Sequence, residues 1–86
     1  MADYAIDFTR AARKELESLD ANLVKRIFPK IADLSKQPRP SGCRKLTDEV
    51  DKWRIRVGDY RVIYKIDDAN EIIDIIHIRH RSKAYD

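Results

Sequence analysis

The sequence predicts an α+β fold in which a mostly antiparallel sheet of about four strands carries an N-terminal helical hairpin on one face. Two observations lead to this prediction. Apolar and polar residues alternate in residues 4–8 and again in residues 53–64, as they do in strands with one buried face. Between them, residues 10–34 carry apolar side chains at helical spacing. The expected element order is therefore β-α-α-β-β-β.

The N-terminal part of the chain predicts one strand and two short helices. Residues 4–8 alternate as a strand, and Thr9 follows with a side-chain oxygen that can cap a helix. Asp20 offers the same kind of cap to the second helix, in which Pro29 removes one backbone hydrogen bond and should cause a kink. Two helices joined this closely are expected to lie antiparallel.

Residues 53–64, WRIRVGDYRVIY, carry the strongest signal in the chain. Strict alternation sends the apolar side chains of the first strand to one face and Arg54 and Arg56 to the other. After a tight reversal at residues 58–59, the second strand repeats the apolar row and adds Arg61. Guanidinium groups placed side by side repel each other, so the pattern indicates a surface that binds a polyanion.

Three further segments complete the prediction. Residues 43–46 are expected to form an edge strand and residues 47–52 an acidic turn. Residues 72–78 are apolar on both sides, which is typical of a central strand. Residues 79–86 follow that strand as a basic tail.

Length and composition limit the possible functions. A chain of 86 residues can bury about 60% of its unfolded surface, so we expect one domain spanning residues 1–86. With 18 basic and 15 acidic residues the net charge is only +3, and overall charge is weak evidence for nucleic acid. A single cysteine and two histidines argue against a disulfide or a zinc site, so we expect no metal and no cofactor. The absence of a leader or a long apolar run predicts a cytoplasmic protein with no membrane partner.

The chain strongly resembles the RelE/ParE superfamily of toxins from bacterial toxin-antitoxin systems. The resemblance covers nearly the whole chain and rests on the Lys45-Leu46 pair, the hairpin at residues 53–64 with its Gly-Asp-Tyr-Arg centre, and the ending IRHRSKAY at residues 78–85. It implies the RelE-like fold. RelE-like members are ribosome-dependent mRNA endonucleases, whereas ParE-like members share the fold and inhibit DNA gyrase.

The resemblance also implies roles for individual residues. Arg54 and Arg56 take the positions of two basic residues on the first hairpin strand of RelE-type toxins, and Arg61, Arg79 and Tyr85 match three further positions. This nearly complete set favours RNA cleavage over gyrase inhibition. RelE itself has lysine at the first two positions, and the second lysine is thought to be the general base. Arginine is a poor base because it stays protonated at neutral pH. Arg56 is therefore expected either to position the scissile phosphate or to lower the pKa of the 2′-hydroxyl electrostatically.

The expected site therefore has two groups of residues. The catalytic group is Arg56, Arg61, Arg79 and Tyr85. The RNA-binding group is Lys45, Arg54, His80 and Arg81. The candidates for proton transfer are Arg79, as a donor by resemblance, and His80, which lies in the basic tail. His77 is expected to be packed in the last strand.

The expected activity is metal-free cleavage of mRNA in the ribosomal A site, in which the ribose 2′-hydroxyl attacks the adjacent phosphorus. By resemblance, a cognate antitoxin should neutralise the protein. Two alternatives stay open: a ParE-like gyrase inhibitor without nuclease activity, and an inactive RelE-fold protein that only binds its antitoxin.

Overall fold

Alternating and helical patterns in the sequence give a mixed sheet with two helices. The computed structural model describes residues 3–46 and 51–83. In chain order the elements are β1 (Ala5–Phe8), α1 (Arg10–Glu17), α2 (Ala21–Asp33), β2 (Arg44–Lys45), β3 (Lys52–Val57), β4 (Tyr60–Asp67), β5 (Ile72–His80) and a short 3₁₀ turn (Arg81–Lys83). The predicted α+β class is confirmed, with five strands in the described residues instead of about four.

The strands form a single sheet in the order β1-β5-β4-β3-β2. The pair β1 and β5 is parallel, and the other three neighbouring pairs are antiparallel. Strand β5 lies between β1 and β4, in agreement with its predicted interior position, and β4 occupies the centre of the sheet. Most of the acidic turn predicted at residues 47–52 lies outside the described residues.

The hydrophobic core lies between the two helices and one face of the sheet. A buried cross-strand row of Ile55, Val62 and Ile78 joins β3, β4 and β5. The helices cover this face with their own buried side chains, which are Ala12, Ile27 and Ile31. Burying a large aliphatic side chain contributes about 1.5–3 kcal/mol. The core therefore selects which face of each strand turns inward.

Both helix caps predicted from the sequence are confirmed. The Thr9 Oγ1 accepts a hydrogen bond from the Ala12 backbone N–H at 3.1 Å and donates to the Ile76 carbonyl at 3.0 Å. The Asp20 carboxylate accepts from the Leu23 backbone N–H at 2.9 Å. Thr9 therefore begins α1 and also ties it to β5. No helix in residues 3–46 and 51–83 has the length and apolar character needed to span a bilayer.

A β-bulge in β5 changes the alternation of that strand. Ile63 pairs with His77 whereas Tyr64 pairs with Ile75, so Ile76 is the extra residue. The bulge lets both Ile75 and Ile78 turn towards the core although they are three positions apart. It explains why residues 72–78 look apolar on both sides, and it places His77 on the face opposite the core.

Replacing Thr9 tests the link between cap and sheet. We expect Thr9→Ala to lower the free energy of unfolding by about 1–2 kcal/mol, because it removes the cap of α1 and the bond to Ile76 together. Thr9→Ser keeps the hydroxyl and should cost much less. Urea unfolding of both variants measures the difference, and equal losses for the two variants would contradict the expected role of the hydroxyl.

Candidate nucleic-acid interface

The face of the sheet opposite the helices carries a cross-strand row of three arginines. Arg61 on β4 pairs directly with Arg56 on β3 and with Arg79 on β5. Side chains at directly paired positions point to the same face, with Cβ atoms about 4.5–5.5 Å apart. The structure therefore brings together the three arginines that the sequence placed in the catalytic group. We call this surface, with the neighbouring Arg44, Arg54 and His77, the arginine face.

The three arginines differ in their exposure. Arg56 is exposed, Arg79 is half-buried and Arg61 is only 7% exposed. Arg61 lies on the central strand and pairs with a residue of each neighbouring strand. The row is therefore a partly desolvated group of cations, in which hydrogen bonds to a bound anion are stronger than in open solvent.

A second row on the same face includes an arginine that sequence reasoning missed. Arg44 on β2 pairs with Arg54, which pairs with Ile63, which pairs with His77. Arg44 was missed because its position depends on how β2 pairs with β3. Alternation along the sequence does not determine that register. Arg44 is exposed, and it extends the cationic surface to the edge of the sheet.

The expected RNA contact of Lys45 is not supported by this geometry. Lys45 pairs with Trp53, and its Nζ lies 6.0 Å from the centre of the Trp53 ring on the helix side of the sheet. Arg39 lies over the same ring at 5.0 Å. Because side chains alternate along β2, Lys45 points away from the arginine face. Arg44, the residue before it, lies on that face instead.

A pocket of about 180 Å³ lies at the end of the arginine row, where the β3–β4 turn meets the residues after β5. Its lining includes Arg56, Arg61 and Arg81. The Arg81 backbone N–H donates to the Asp59 carbonyl at 2.8 Å, which fixes Arg81 against the turn. Arg81 therefore joins the cationic group, as the sequence predicted.

Gly58 allows that turn to lie close to α2. It adopts φ +60°, the left-handed region that side chains disfavour, and a Cβ there would come within 2.9 Å of the Arg26 guanidinium. The Arg26 guanidinium therefore lies against the turn at Gly58.

Glu15 on α1 binds the arginine row from the side. Its carboxylate accepts from Arg79 Nε at 3.0 Å, from the Ile78 backbone N–H at 3.0 Å, and from His77 Nδ1 at 3.2 Å. Partial burial alone would raise the pKa of this carboxyl, but the hydrogen bonds outweigh burial and hold its pKa below the ordinary value of 4.5. No sequence signal pointed to Glu15, because more than 60 residues separate it from its partners.

One other expected site residue, His80, is not brought into the row. His80 alternates to the helix side, where its ring meets the Tyr60 ring edge-on at 5.4 Å and its Nδ1 lies 3.0 Å from the Ser82 hydroxyl. It is exposed at that end of β5 and lies on the opposite face from Arg79. Tyr85 lies outside the described residues.

The opposite end of the same sheet face carries charges of both signs. Asp74 on β5 pairs with Asp7 on β1 and with Lys65 on β4, and Lys65 pairs with Lys52 on β3. The arginine row is therefore confined to the end that holds the pocket, whereas the other end mixes carboxylates with lysines. In the part of the chain that the structure describes, no cluster of three or more histidine, cysteine or acidic side chains is arranged to hold a metal ion.

The contacts of Glu15 predict a specific acid dependence of stability. Because its pKa is lower in the folded than in the unfolded protein, Glu15 adds stability above about pH 4.5 that is lost as the pH falls through the folded value. We expect Glu15→Gln to be less stable at pH 7 and to lose less stability between pH 6 and pH 3. Urea unfolding across this range measures the difference, with Glu17→Gln as the control for net charge. Parallel pH curves for wild type and Glu15→Gln would contradict the expectation.

Comparison with known proteins gives a family for the whole chain. The model of the ParE toxin of type II toxin-antitoxin systems matches residues 6–85. Toxin RelE of Mycobacterium tuberculosis is 34% identical over 86 residues, covering 95% of this chain and 86% of that protein.

Solved structures have the same fold. The toxin-antitoxin complex RelBE2 from Mycobacterium tuberculosis matches with a TM-score of 0.80 and 30% identity, covering 92% of this chain and 99% of that chain. The archaeal RelE-RelB complex from Pyrococcus horikoshii OT3 matches with a TM-score of 0.82 and 29% identity, covering 95% and 99%. The chain belongs to the RelE/ParE superfamily of toxins from type II toxin-antitoxin systems.

Proposed function

We propose that this protein is a ribosome-dependent endoribonuclease toxin that cuts mRNA in the ribosomal A site. The observation that carries the proposal is the cross-strand row of Arg56, Arg61 and Arg79 on one rigid sheet face. Like charges placed directly opposite each other destabilise a sheet, so a row of this kind is expected where an anion binds between the side chains.

The reaction needs no nucleophile from the protein. The 2′-hydroxyl of the ribose attacks the adjacent phosphorus, the bond to the 5′-oxygen breaks, and a 2′,3′-cyclic phosphate remains. The phosphorus passes through a pentavalent state with additional negative charge. Guanidinium groups stabilise that charge because each donates paired hydrogen bonds and stays ionised at neutral pH.

Each arginine has a distinct position for this task. Arg61 is the least exposed and lies in the middle of the row, where it can donate to the scissile phosphate. Arg79 uses Nε for Glu15, and its two terminal nitrogens remain to contact RNA. Arg56 and Arg81 line the pocket at the end of the row, where they can hold the phosphate from the other side.

The ribosome supplies what this shallow site lacks. The arginine face has charge, but RNA must still be held with the 2′-oxygen in line with the leaving oxygen. Correct alignment of this kind contributes several kcal/mol to a rate. A message fixed in the A site would be presented in such a geometry, which places the proposed action in the cytoplasm.

An antitoxin is the expected partner besides the ribosome. The solved relative from Mycobacterium tuberculosis is a toxin-antitoxin complex, and the one from Pyrococcus horikoshii is a RelE-RelB complex. We propose that a cognate antitoxin likewise neutralises this protein, either by covering the arginine face or by displacing a catalytic segment. Acidic residues in the antitoxin would complement the cationic row.

Gyrase inhibition is the second candidate function. The family model that matches residues 6–85 describes a ParE toxin, and ParE-like proteins act on gyrase without cutting RNA. The nearly complete arginine set favours cleavage. A gyrase supercoiling assay run beside message mapping on programmed ribosomes separates the two functions.

Alanine at Arg56 or Arg81 tests the cleavage proposal. Both side chains are exposed, so the fold should survive. Loss of one preorganised donor to the transition state is expected to slow cleavage about 10²–10³-fold. The rate of formation of ends bearing 2′,3′-cyclic phosphate on programmed ribosomes is the measurement. Arg13→Ala, which removes an exposed arginine of α1, is the matched control. Intact message combined with blocked supercoiling would reject the nuclease in favour of gyrase inhibition.

The two basic residues of β2 give a second, matched test. Arg44→Ala should weaken binding of a 2′-O-methyl RNA strand, and the slope of log affinity against log salt concentration should become shallower by about 0.7 if one phosphate is no longer neutralised. Lys45→Ala should leave both unchanged, because Lys45 lies over Trp53 on the other face. Fluorescence anisotropy at several salt concentrations measures both. A larger effect for Lys45→Ala would mean that RNA binds the helix side.

A further inference from the structure

The proposed reaction requires a group that removes the proton from the 2′-hydroxyl, and the arginines cannot supply it. Arginine stays protonated and has no acceptor. By resemblance, RelE has a lysine at the position of the general base. This chain has Arg56 at that position. A group with a free lone pair is therefore needed elsewhere on the arginine face.

His77 lies on that face beside the arginine row. It pairs with Ile63, which pairs with Arg54, so its side chain shares the face with Arg54. It is two residues from Arg79 on β5, a separation of about 6.7 Å along a strand. Its side chain is 28% exposed, so the ring is open to a bound ligand. The β-bulge at Ile76 produces this placement.

Glu15 determines where His77 carries its proton. Its carboxylate oxygen lies 3.2 Å from His77 Nδ1 and accepts hydrogen bonds only. The hydrogen bonds that lower the pKa of Glu15 keep it ionised at neutral pH. Nδ1 therefore bears the hydrogen of the neutral ring, and Nε2 keeps a lone pair that can accept a proton.

We infer that His77 is the general base of the reaction and that Glu15 is the positioning residue that holds its ring. The inference rests on the proposed endoribonuclease function. Nε2 accepts the proton of the 2′-hydroxyl while the 2′-oxygen forms its bond to phosphorus. The bond from phosphorus to the 5′-oxygen breaks, and that oxygen takes a proton from water. The imidazolium then returns its proton to solvent.

The surrounding charges suit this step. The arginine face brings Arg54, Arg61 and Arg79 near the ring from β3, β4 and β5, and Lys65 and Asp74 lie beyond Ile63 along the same face. Glu15 approaches from α1. The cations draw the RNA phosphate close, and Glu15 stabilises the imidazolium as it forms.

His80 provides the matched control because the structure places it on the other face. Its Nδ1 lies 3.0 Å from the Ser82 hydroxyl, and its ring packs against Tyr60 on the helix side. The two histidines are three residues apart, yet only His77 shares a face with the arginine row. A comparison of the two thus tests the placement directly.

The experiment measures single-turnover cleavage on programmed ribosomes from pH 5 to pH 8 for wild type, His77→Gln, His80→Gln and Glu15→Gln. The wild-type rate should fall as the pH falls, because protonation removes a base that must be neutral. His77→Gln should lower the rate about 10²–10⁴-fold and remove this pH dependence. Glu15→Gln should lower it about 10–100-fold, and His80→Gln should behave as wild type.

The possible outcomes separate the two proposals. A cleaving wild type with an unchanged rate in His77→Gln overturns the inference and leaves the proposed function intact. Transfer of the pH dependence to His80 overturns it as well. A wild type that never cleaves overturns both proposals. His77→Asn repeats the test if His77→Gln does not fold.

A second measurement is independent of activity. Nitrogen NMR of the imidazole rings should show His77 protonated at Nδ1 in the neutral wild-type protein, with a shift towards the other tautomer in Glu15→Gln. A neutral ring protonated at Nε2 in wild type overturns the inference, because that nitrogen would then have no lone pair to accept a proton.

Discussion

The register of β3, β4 and β5 is the constraint on which the site depends. Ile55, Val62 and Ile78 form a buried row on one face, and the adjacent position on each strand is Arg56, Arg61 and Arg79 on the other face. A slip of one residue would turn a guanidinium into the core. Burial of the aliphatic row thus opposes the repulsion among the arginines and holds three cations together that would otherwise separate.

The open edge of β5 is the second feature that shapes the site. Strand β1 pairs with β5 only from Ala5 opposite Ile72 to Phe8 opposite Ile75, so the strand pairing on that side ends before the arginine row. Glu15 binds the backbone N–H of Ile78 at this edge, and the same carboxylate reaches Arg79 and His77. One carboxylate therefore accepts the hydrogen bond of a backbone N–H at the strand edge and also orients two side chains of the arginine face. The carboxylate that stabilises this edge of β5 is thus the same group that holds His77 in the proposed mechanism.

Local patterns were sufficient to predict much of the fold. Alternation located β3 and β4, and side-chain oxygens at Thr9 and Asp20 located the starts of both helices. Arg56 and Arg61 were placed together because a tight turn sets the pairing of a hairpin. Contacts between distant segments were beyond such reasoning. The parallel pairing of β1, the contacts of Glu15 and the register of β2 all depend on tertiary packing, and the bulge at Ile76 places His77 instead of His80 on the face of the arginine row.

In the mechanism proposed for this toxin, a sheet presents cations to one phosphodiester and a histidine lies beside them. The most direct test is a structure of the protein on a ribosome programmed with a message whose 2′-hydroxyl at the cleavage site is methylated. We predict that the guanidinium groups of Arg61 and Arg79 both lie within about 3.2 Å of oxygens on that one phosphate. A message that lies against the helix side, or one whose phosphates contact these arginines separately at different nucleotides, would contradict the mechanism.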